Sequence, residues 1–448
     1  MPITAIRTLG WLAVALILAL AIEGILRPRG LTLDFANFYD AGQKARAAEF
    51  TGLYDPFAAI AGQPPFGNMS FFSAPLTSYL YIPLAMMPPL MASMVFKLAG
   101  TLATGLGLWL LFRSFLPLAG AEVMVRARYF ALFALAALLF QPFWVIYGVG
   151  GQTTPFVFLM LVLAYRCLQR SQFARMALLM SLVVVVKPAF APAAVLLFVM
   201  LPNRFRLMAL LCGVGFGTLS FWWLGPELHR QFLVLVVNET SGLLAPWRNS
   251  SPFSWIEPFF VAPSTYDAPG QLPDVARRIG LALRILASTA LIIAMILHRR
   301  QVLKLAASRH VIFATALLVA VVFSPVVWAH YLSLLFIPLA ALIALRRHLP
   351  MLAILLLSVA VASALGQNTI LRDALIHAAG TESTISIAMH ACVQNPGRAG
   401  LICLGQTAIL ALAVLKSLPA LLILLVTLFG HRRIEKALTD PGWARISD

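Results

Sequence analysis

The sequence predicts an all-α polytopic membrane protein with about twelve transmembrane helices and long extracytoplasmic loops. Of its 448 residues, 61% are hydrophobic and 11% are charged, whereas soluble domains have about 45–50% apolar and about 25% charged residues. Apolar segments such as 9–26 and 311–323 recur along the chain, and the longer ones approach the ~20 residues that cross ~30 Å of hydrocarbon. They lack the period-two alternation of a membrane barrel, so the spans are predicted to be helical.

The basic residues predict the orientation of these helices. They cluster at alternating ends of the apolar segments: Arg113, Arg126 and Arg128; Arg166, Arg170 and Arg175; Arg204 and Arg206; Arg299, Arg300, Lys304 and Arg309; Arg346 and Arg347; and Arg432, Arg433 and Lys436. The positive-inside bias places these clusters, and both termini, in the cytoplasm of a plasma (inner) membrane. The net charge of +17 therefore reflects membrane orientation and not a nucleic-acid partner.

The predicted spans form a single integral membrane domain over residues 1–448. They are roughly 8–26, 76–112 (one short broken helix, then one span), 129–147, 153–165, 176–187, 189–201, 207–224, 279–298, 310–324, 331–345, 349–366 and 404–429. No small-residue cleavage site follows the first apolar run, so this run is expected to be an uncleaved span.

Three long connectors, at about 27–75, 225–278 and 367–403, fall on the outer side and hold most of the 16 acidic residues. Long loops on a rigid bundle are where sites are usually built, so the working face is predicted to be extracytoplasmic. In the third loop, Cys392 and Cys403 are either a disulfide or two unrelated thiols, and Cys167 and Cys212 are interpreted as packing residues. The sequence has no metal-ligand spacing, so neither a metal nor another cofactor is expected.

The first loop opens with an aspartate among aromatic residues, DFANFYDAG at 34–42. Asp34 is expected at the membrane-water interface beside Phe35, Phe38 and Tyr39, because aromatic rings settle there. Half-dry surroundings raise the proton affinity of a carboxylate, which suits a general base. The alternative is that Asp34 caps a short interfacial helix over 35–49. Asp40 is interpreted as a solvated residue of that helix.

Lys187 ends a strongly apolar run and precedes Pro188. A cation near the membrane is costly, so it is interpreted either as a phosphate contact or as a side chain that snorkels to the outer surface. Gln152, at the start of the fourth span, is either a polar contact for substrate or a structural residue.

Two further polar motifs lie on the same predicted face. The segment WRNSSPFSW at 247–255 carries Arg248 and Asn249 among hydroxyls and indoles, which suits a sugar or a phosphate but is equally typical of an amphipathic loop on the membrane. The segment SPVVWAHY at 324–331 carries Trp328, His330 and Tyr331. His330 is interpreted as a phosphate contact, a proton shuttle or a structural residue.

Four segments in this order resemble glycosyltransferase family 87: DFANFYDAG with LYDP (53–56), GQTTPFVFLMLVLAYRCL (151–168), MSLVVVVKPAFAPAAVLLF (180–198) and SPVVWAHYLSLLFIPL (324–339). The similarity extends over about residues 8–345, and Gln152 followed by Lys187 and Pro188 is its most specific part. The resemblance implies a GT-C-like bundle that takes a sugar from a polyprenyl-phosphate donor.

What the resemblance implies for the site is specific. Asp34 matches the family's first-loop aspartate, expected as the catalytic base, and His330 matches the histidine after the tryptophan near the ninth and tenth spans, expected as a second catalytic residue. Lys187 matches the family's lysine-proline motif. The expected substrate contacts are Tyr39, Gln152, Lys187, Arg248, Asn249, Trp328 and Tyr331.

The implied activity is inverting transfer of mannose, another hexose or arabinofuranose to a glycolipid or glycan acceptor on the outer face. The competing predictions are a transporter or flippase for a lipid-linked sugar, with Lys187, Arg284 and Glu23 as coupling charges, and a structural assembly subunit.

Overall fold

The computed structural model describes residues 2–26, 33–54, 71–140, 142–143, 151–241, 274–304, 308–322, 324, 327 and 329–345, together with residues 418 and 422. Within these residues the chain forms helices and no strand, as predicted. The helices are α1 (Ile3–Leu26), α2 (Leu33–Ala47), α3 (Ile82–Ala85), α4 (Pro89–Ala119), α5 (Val123–Leu139), α6 (Thr154–Gln169), α7 (Phe173–Val186), α8 (Ala191–Met200), α9 (Asn203–Ser241), α10 (Asp274–Leu297), α11 (Arg299–Lys304), α12 (Ser308–Val322) and α13 (Phe336–Leu345). Short 3-10 helices cover Pro75–Tyr81, Pro188–Phe190 and Ala329–Leu335.

Four of these helices are long and apolar enough to cross a membrane. They are Ile3–Leu26, Pro89–Pro117, Asn203–Val237 and Arg278–Leu297. Shorter apolar helices coincide with the predicted spans at 153–165, 176–187, 189–201, 310–324 and 331–345. The predicted span 349–366, and the span 404–429 apart from residues 418 and 422, lie outside the described residues, so the total of about twelve spans stays a prediction.

The break of α9 corrects one predicted boundary. The span was expected to end at residue 224 and to continue as a loop, but the helix extends to Ser241 beyond a kink at Gly225, whose φ is 76°. Gly225 adopts this left-handed backbone without a Cβ penalty. Pro226 directly after it contributes to the kink, because proline interrupts the hydrogen bonding of a helix. Leu228 on the far side of the kink is buried, and Phe232 packs against the same cluster.

Helices α4 and α6 run in the same direction along the bundle. A Cβ on Gly107 would lie 2.8 Å from the Phe158 ring. Further along both helices in the same direction, Arg166 donates to the Leu110 carbonyl oxygen. Phe158 also contacts Phe143, whose ring lies 5.2 Å from that of Phe336 at the start of α13. These close contacts assemble the main core around α6.

Arginines occupy one end of the bundle and donate to carbonyl groups at the ends of helices. Arg309 donates to the Gln169 carbonyl oxygen at the end of α6, and Arg206 donates to the Phe198 carbonyl oxygen near the end of α8. We call this the arginine end. Helix α7 begins there at Phe173 and leads to Lys187 at the opposite end, which we call the site end.

Candidate functional site

Helix α2 carries Asp34 to the site end of the bundle. The helix covers Leu33–Ala47, close to the predicted 35–49, but it begins one residue before Asp34. Asp34 is therefore in the first turn of the helix and does not precede it as the capping alternative required. The side chain of Asp34 lies outside the described part of the structure, so its role as a base stays a prediction.

Buried aromatic rings attach α2 to the rest of the protein. The ring of Phe35 lies 5.4 Å from that of Phe96 on α4, and the ring of Phe38 stacks on that of Tyr81 at 5.0 Å. A Cβ on Gly42 would lie 2.5 Å from the Tyr81 carbonyl oxygen. Helix α2 thus packs closely on the segment after residue 71, and only glycine permits this approach.

Tyr39 anchors the same helix through its hydroxyl group. Its side chain is buried, and the hydroxyl donates to the Met87 carbonyl oxygen at 2.8 Å. This bond positions the helix that carries Asp34. A substrate contact by Tyr39 stays a prediction.

Asp40 is not the solvated residue that the sequence suggested. It is only 7% exposed, and the Lys44 ammonium lies 2.7 Å from its carboxylate. The same ammonium donates to the Gly52 carbonyl oxygen at 3.0 Å. A buried carboxylate requires such a partner, and an i,i+4 pair on a helix provides it. Asp40 therefore has a structural function in fixing the turn that follows α2.

Lys187 lies where α7 ends and is only 7% exposed. Its ammonium nitrogen lies 3.9 Å from the centroid of the Tyr331 ring, a distance at which the electron-rich face of the ring attracts a cation. The side chain consequently does not reach the surface, and the snorkelling alternative is wrong. The structure buries a positive charge at this end of the bundle.

His330 completes a cluster with Lys187 and Tyr331, which we call the Lys187 cluster. The rings of His330 and Tyr331 are 4.8 Å apart and nearly perpendicular, at 77°. His330 is buried, and Ser333 donates to its carbonyl oxygen at 2.6 Å. The fold thus brings together three of the nine residues predicted for the site, from two segments that are distant in the sequence.

The segment 71–75 contacts the helix end that presents Lys187, and sequence reasoning missed this. The Ala74 amide donates to the Val185 carbonyl oxygen at 3.2 Å, and the Ser73 hydroxyl donates to the Val186 carbonyl oxygen at 2.8 Å. The hydroxyl of Tyr54 donates in turn to the Ser73 carbonyl oxygen at 3.2 Å. The last carbonyl groups of a helix have no partner within it, so this segment satisfies two of them and links the α2 region to Lys187.

Gln152 lies at the same end of the bundle, just before α6, and is half-buried. The first turn of α6 contacts the region around α2, because the ring of Phe156 lies 5.3 Å from that of Phe96. Helix α6 also packs against the 3-10 helix Ala329–Leu335 that holds His330. Arg248, Asn249 and Trp328 lie outside the described residues, so their substrate contacts stay predictions.

Sequence reasoning also missed Lys97 on α4. This side chain is 8% exposed, and its ammonium nitrogen lies 3.4 Å from the Gly24 carbonyl oxygen near the end of α1. A cation within the apolar run MASMVFKLAG was the available signal, because charges inside membrane helices usually have a specific partner.

The arrangement suits recognition of an anion. A desolvated ammonium supported by an aromatic face stabilises developing negative charge more strongly than a hydrated one. The His330 imidazole adds a hydrogen-bonding group to the cluster. Its ring contacts the Tyr331 ring, which in turn contacts the Lys187 ammonium. Among the residues that the structure describes, no group of three or more histidine, cysteine or acidic side chains is placed to hold a metal ion.

The apolar helices and the buried charged cluster define a polytopic membrane protein with a polar site at one end of its bundle. The chain belongs to glycosyltransferase family 87, because the model of that family matches residues 71–327, more than half of the sequence. It is therefore a membrane glycosyltransferase, and the resemblance inferred from the sequence is confirmed. Searches of curated proteins and of solved structures gave no match.

Proposed function

We propose that this glycosyltransferase transfers a sugar from a polyprenyl-phosphate donor to a glycolipid or glycan acceptor, with inversion at the anomeric carbon. The site faces the outside of the plasma membrane, and both termini lie in the cytoplasm. The sugar is mannose, another hexose or arabinofuranose. The observation that carries the proposal is the buried Lys187 ammonium 3.9 Å from the Tyr331 ring centroid, beside His330 and at the end of the bundle to which α2 brings Asp34.

The position of these residues at one end of an apolar helical bundle supports a lipid-linked donor. A polyprenyl tail stays in the hydrocarbon, so its phosphate and sugar lie at the boundary with water. A phosphate there attracts a buried ammonium more strongly than a solvated one, since the effective dielectric constant around the buried cation is lower than that of water. Helices α4 and α9 are among those that reach across the membrane by length and composition, which provides the apolar wall that such a tail requires.

The proposed reaction is a single displacement. Asp34 removes the proton from the acceptor hydroxyl as its oxygen attacks the anomeric carbon, and the bond from that carbon to the phosphate oxygen breaks. The electron pair of this bond leaves with the polyprenyl phosphate, which gains negative charge. Lys187 stabilises this charge in the transition state more than in the ground state, which accelerates the reaction. His330 hydrogen-bonds the phosphate, and no metal is needed.

The remaining predicted contacts have binding roles. Tyr331 holds the Lys187 ammonium, and Gln152 lies beside the donor phosphate. Arg248 and Asn249 bind sugar hydroxyls or the phosphate, and Trp328 provides an apolar face to the sugar ring. Tyr39 supports substrate binding by holding α2 in place through its hydroxyl bond to the Met87 carbonyl oxygen.

The decisive experiment uses purified protein in liposomes with polyprenyl-phosphate sugars, and measures release of polyprenyl phosphate together with the glycosylated acceptor. Asp34→Asn should lower the rate roughly 10²–10⁴-fold, the usual contribution of a general base. The matched control is Glu49→Gln, which removes an exposed carboxylate from the same region and should leave the rate unchanged. Near-normal transfer by Asp34→Asn would refute the assignment of the base.

The same liposomes distinguish the transporter alternative. A flippase would move labelled donor between leaflets without releasing polyprenyl phosphate, and its rate would depend on Arg284, which is 4% exposed on α10. Membership of a glycosyltransferase family supports transfer over transport. Movement of intact donor without release would overturn the proposal.

A further inference from the structure

Lys97 makes a contact that the proposed reaction does not use. It is buried on α4, and its ammonium nitrogen lies 3.4 Å from the Gly24 carbonyl oxygen, two residues before α1 ends at Leu26. Within the described part of the structure, this carbonyl is the hydrogen-bond partner of the ammonium. Burying a lysine so deeply has a cost in free energy, which calls for a reason why α4 has a cation at this position.

The sequence after α1 provides the reason. In a continuing helix the Gly24 carbonyl would accept a bond from the amide of residue 28, but residue 28 is proline, which has no amide hydrogen. A carbonyl left without a partner in an apolar environment is unfavourable. Lys97 satisfies it, and its positive charge also interacts favourably with the negative end of the helix dipole.

The residue before Lys97 holds the next helix. The ring of Phe96 lies 5.4 Å from that of Phe35 and 6.1 Å from that of Phe38, and Phe35 directly follows Asp34. Two consecutive residues of α4 therefore contact the helices on either side of residues 27–32, which are α1 and α2. Lys97 holds the last turn of α1, and Phe96 holds the first turn of α2. We call this pair the α4 clamp.

We infer that Lys97 is a positioning residue for the Asp34 carboxylate and acts through the α4 clamp. The inference rests on the proposed function for its catalytic consequence, and on the hydrogen bond and ring contacts for the clamp itself. Releasing the end of α1 removes one of the two attachments to α4 and allows the start of α2 to shift relative to α4, while the Lys187 cluster keeps its own contacts. A displacement of about 1 Å at a reacting group typically lowers turnover about 10²-fold.

The first test compares Lys97→Met, Lys97→Arg and Thr104→Val in the liposome assay. Thr104→Val is the matched control, because Thr104 is buried on the same helix but donates only within it, to the Gly100 carbonyl oxygen at 3.0 Å. Lys97→Met should lower kcat about 10–100-fold with little change in KM for the donor, Lys97→Arg should retain most of the activity, and Thr104→Val should resemble the wild type. Loss of activity in Thr104→Val as large as in Lys97→Met would overturn the inference.

A double mutant separates positioning from a general defect. If Lys97 acts through Asp34, Lys97→Met should cause no further loss in the Asp34→Asn background, because residues that act as a unit are not additive. A full additional loss would overturn the inference. Lys97→Met should lower the thermal midpoint modestly, because the Gly24 carbonyl oxygen loses its partner, so transfer by both single mutants and by the double mutant is compared well below the lowest midpoint.

Hydrogen-deuterium exchange tests the clamp without any assay of transfer. Amides in the last turn of α1 (22–26) and in the first turns of α2 (33–40) should exchange faster in Lys97→Met than in the wild type or in Thr104→Val, because the end of α1 is no longer held. Unchanged exchange in both of these segments would refute the clamp. If the wild type shows no transfer with any polyprenyl-phosphate sugar, the proposed function fails, and the exchange result still decides whether Lys97 holds α1.

Discussion

Replacing the Tyr331 ring tests whether it is the support of the Lys187 ammonium. Tyr331→Leu removes the aromatic face that lies 3.9 Å from the ammonium nitrogen, whereas Tyr331→Phe keeps the face and removes only the hydroxyl. Both variants keep an apolar side chain of comparable bulk, so a difference between them reports the interaction of the ring with the cation.

The magnitude follows from the burial of Lys187, which is 7% exposed. A cation-π interaction contributes about 0.5–1 kcal/mol at an exposed site and about 2 kcal/mol when desolvated, and the upper value applies to this site. Because about 1.4 kcal/mol corresponds to a tenfold change in rate, Tyr331→Leu should lower kcat/KM about 30-fold if the ammonium must be held for catalysis. Tyr331→Phe should stay within about threefold of the wild type, since the ring quadrupole is retained.

The measurement is the rate of polyprenyl phosphate release from purified variants in liposomes, at several donor concentrations. Thermal midpoints of both variants serve as the control for folding. Equal rates for Tyr331→Leu and Tyr331→Phe would show that the ring face does not position the cation. A large loss in Tyr331→Phe alone would assign the function of this residue to its hydroxyl and would refute the reasoning in the same way.

Three further predictions concern packing, the segment after residue 71, and metals. Gly42→Ala should destabilise the fold by about 1–3 kcal/mol, because the new Cβ would lie 2.5 Å from the Tyr81 carbonyl oxygen; Gly105→Ala, with nothing within 4 Å of its Cβ, is the control, and a lower thermal midpoint for it than for Gly42→Ala would contradict the packing argument. Ser73→Ala should cost about 1 kcal/mol in unfolding free energy and slow transfer, since its hydroxyl bond to the Val186 carbonyl oxygen is lost; unchanged unfolding and transfer would disprove the role of this bond. Transfer should continue in excess chelator, and activity that returns only when a divalent ion is added would show that a metal takes part.

The sequence predicted the helical segments well because their signals are local. Apolar length predicts a span, and proline or glycine marks its interruption, so α7 ends before Pro188 as predicted, and the kink at Gly225 lies directly after residue 224, where the span was expected to end. The continuation of α9 to Ser241 was missed because the segment after the kink begins with polar residues such as Glu227 and Arg230, which are typical of a loop. Leu228 is buried in the cluster that contains the α2 rings, and the Phe232 ring lies 5.7 Å from that of Tyr54; an apolar segment alone does not reveal these partners.

The site was predicted in its residue types but not in its contacts. Lys187 and Tyr331 are separated by 144 positions (331 minus 187), and no periodicity shows that one lies over the other. Asp40 was assigned to solvent because charged residues usually are, yet its pairing with Lys44 allows burial. Lys97 was overlooked although its position in an apolar run was visible, because its partner is a carbonyl group, which every residue has.

The tie between Ala74 and Val185 has a consequence for how this protein tolerates change. It joins two peptide groups, so any amino acid except proline at position 74 preserves the donor, and no substitution at 185 removes the acceptor. The side chains at positions 74 and 185 could therefore vary among related proteins, although the main chain at these positions fixes the location of the neighbouring Lys187. Selection on this hydrogen bond would be visible mainly as the absence of proline at position 74.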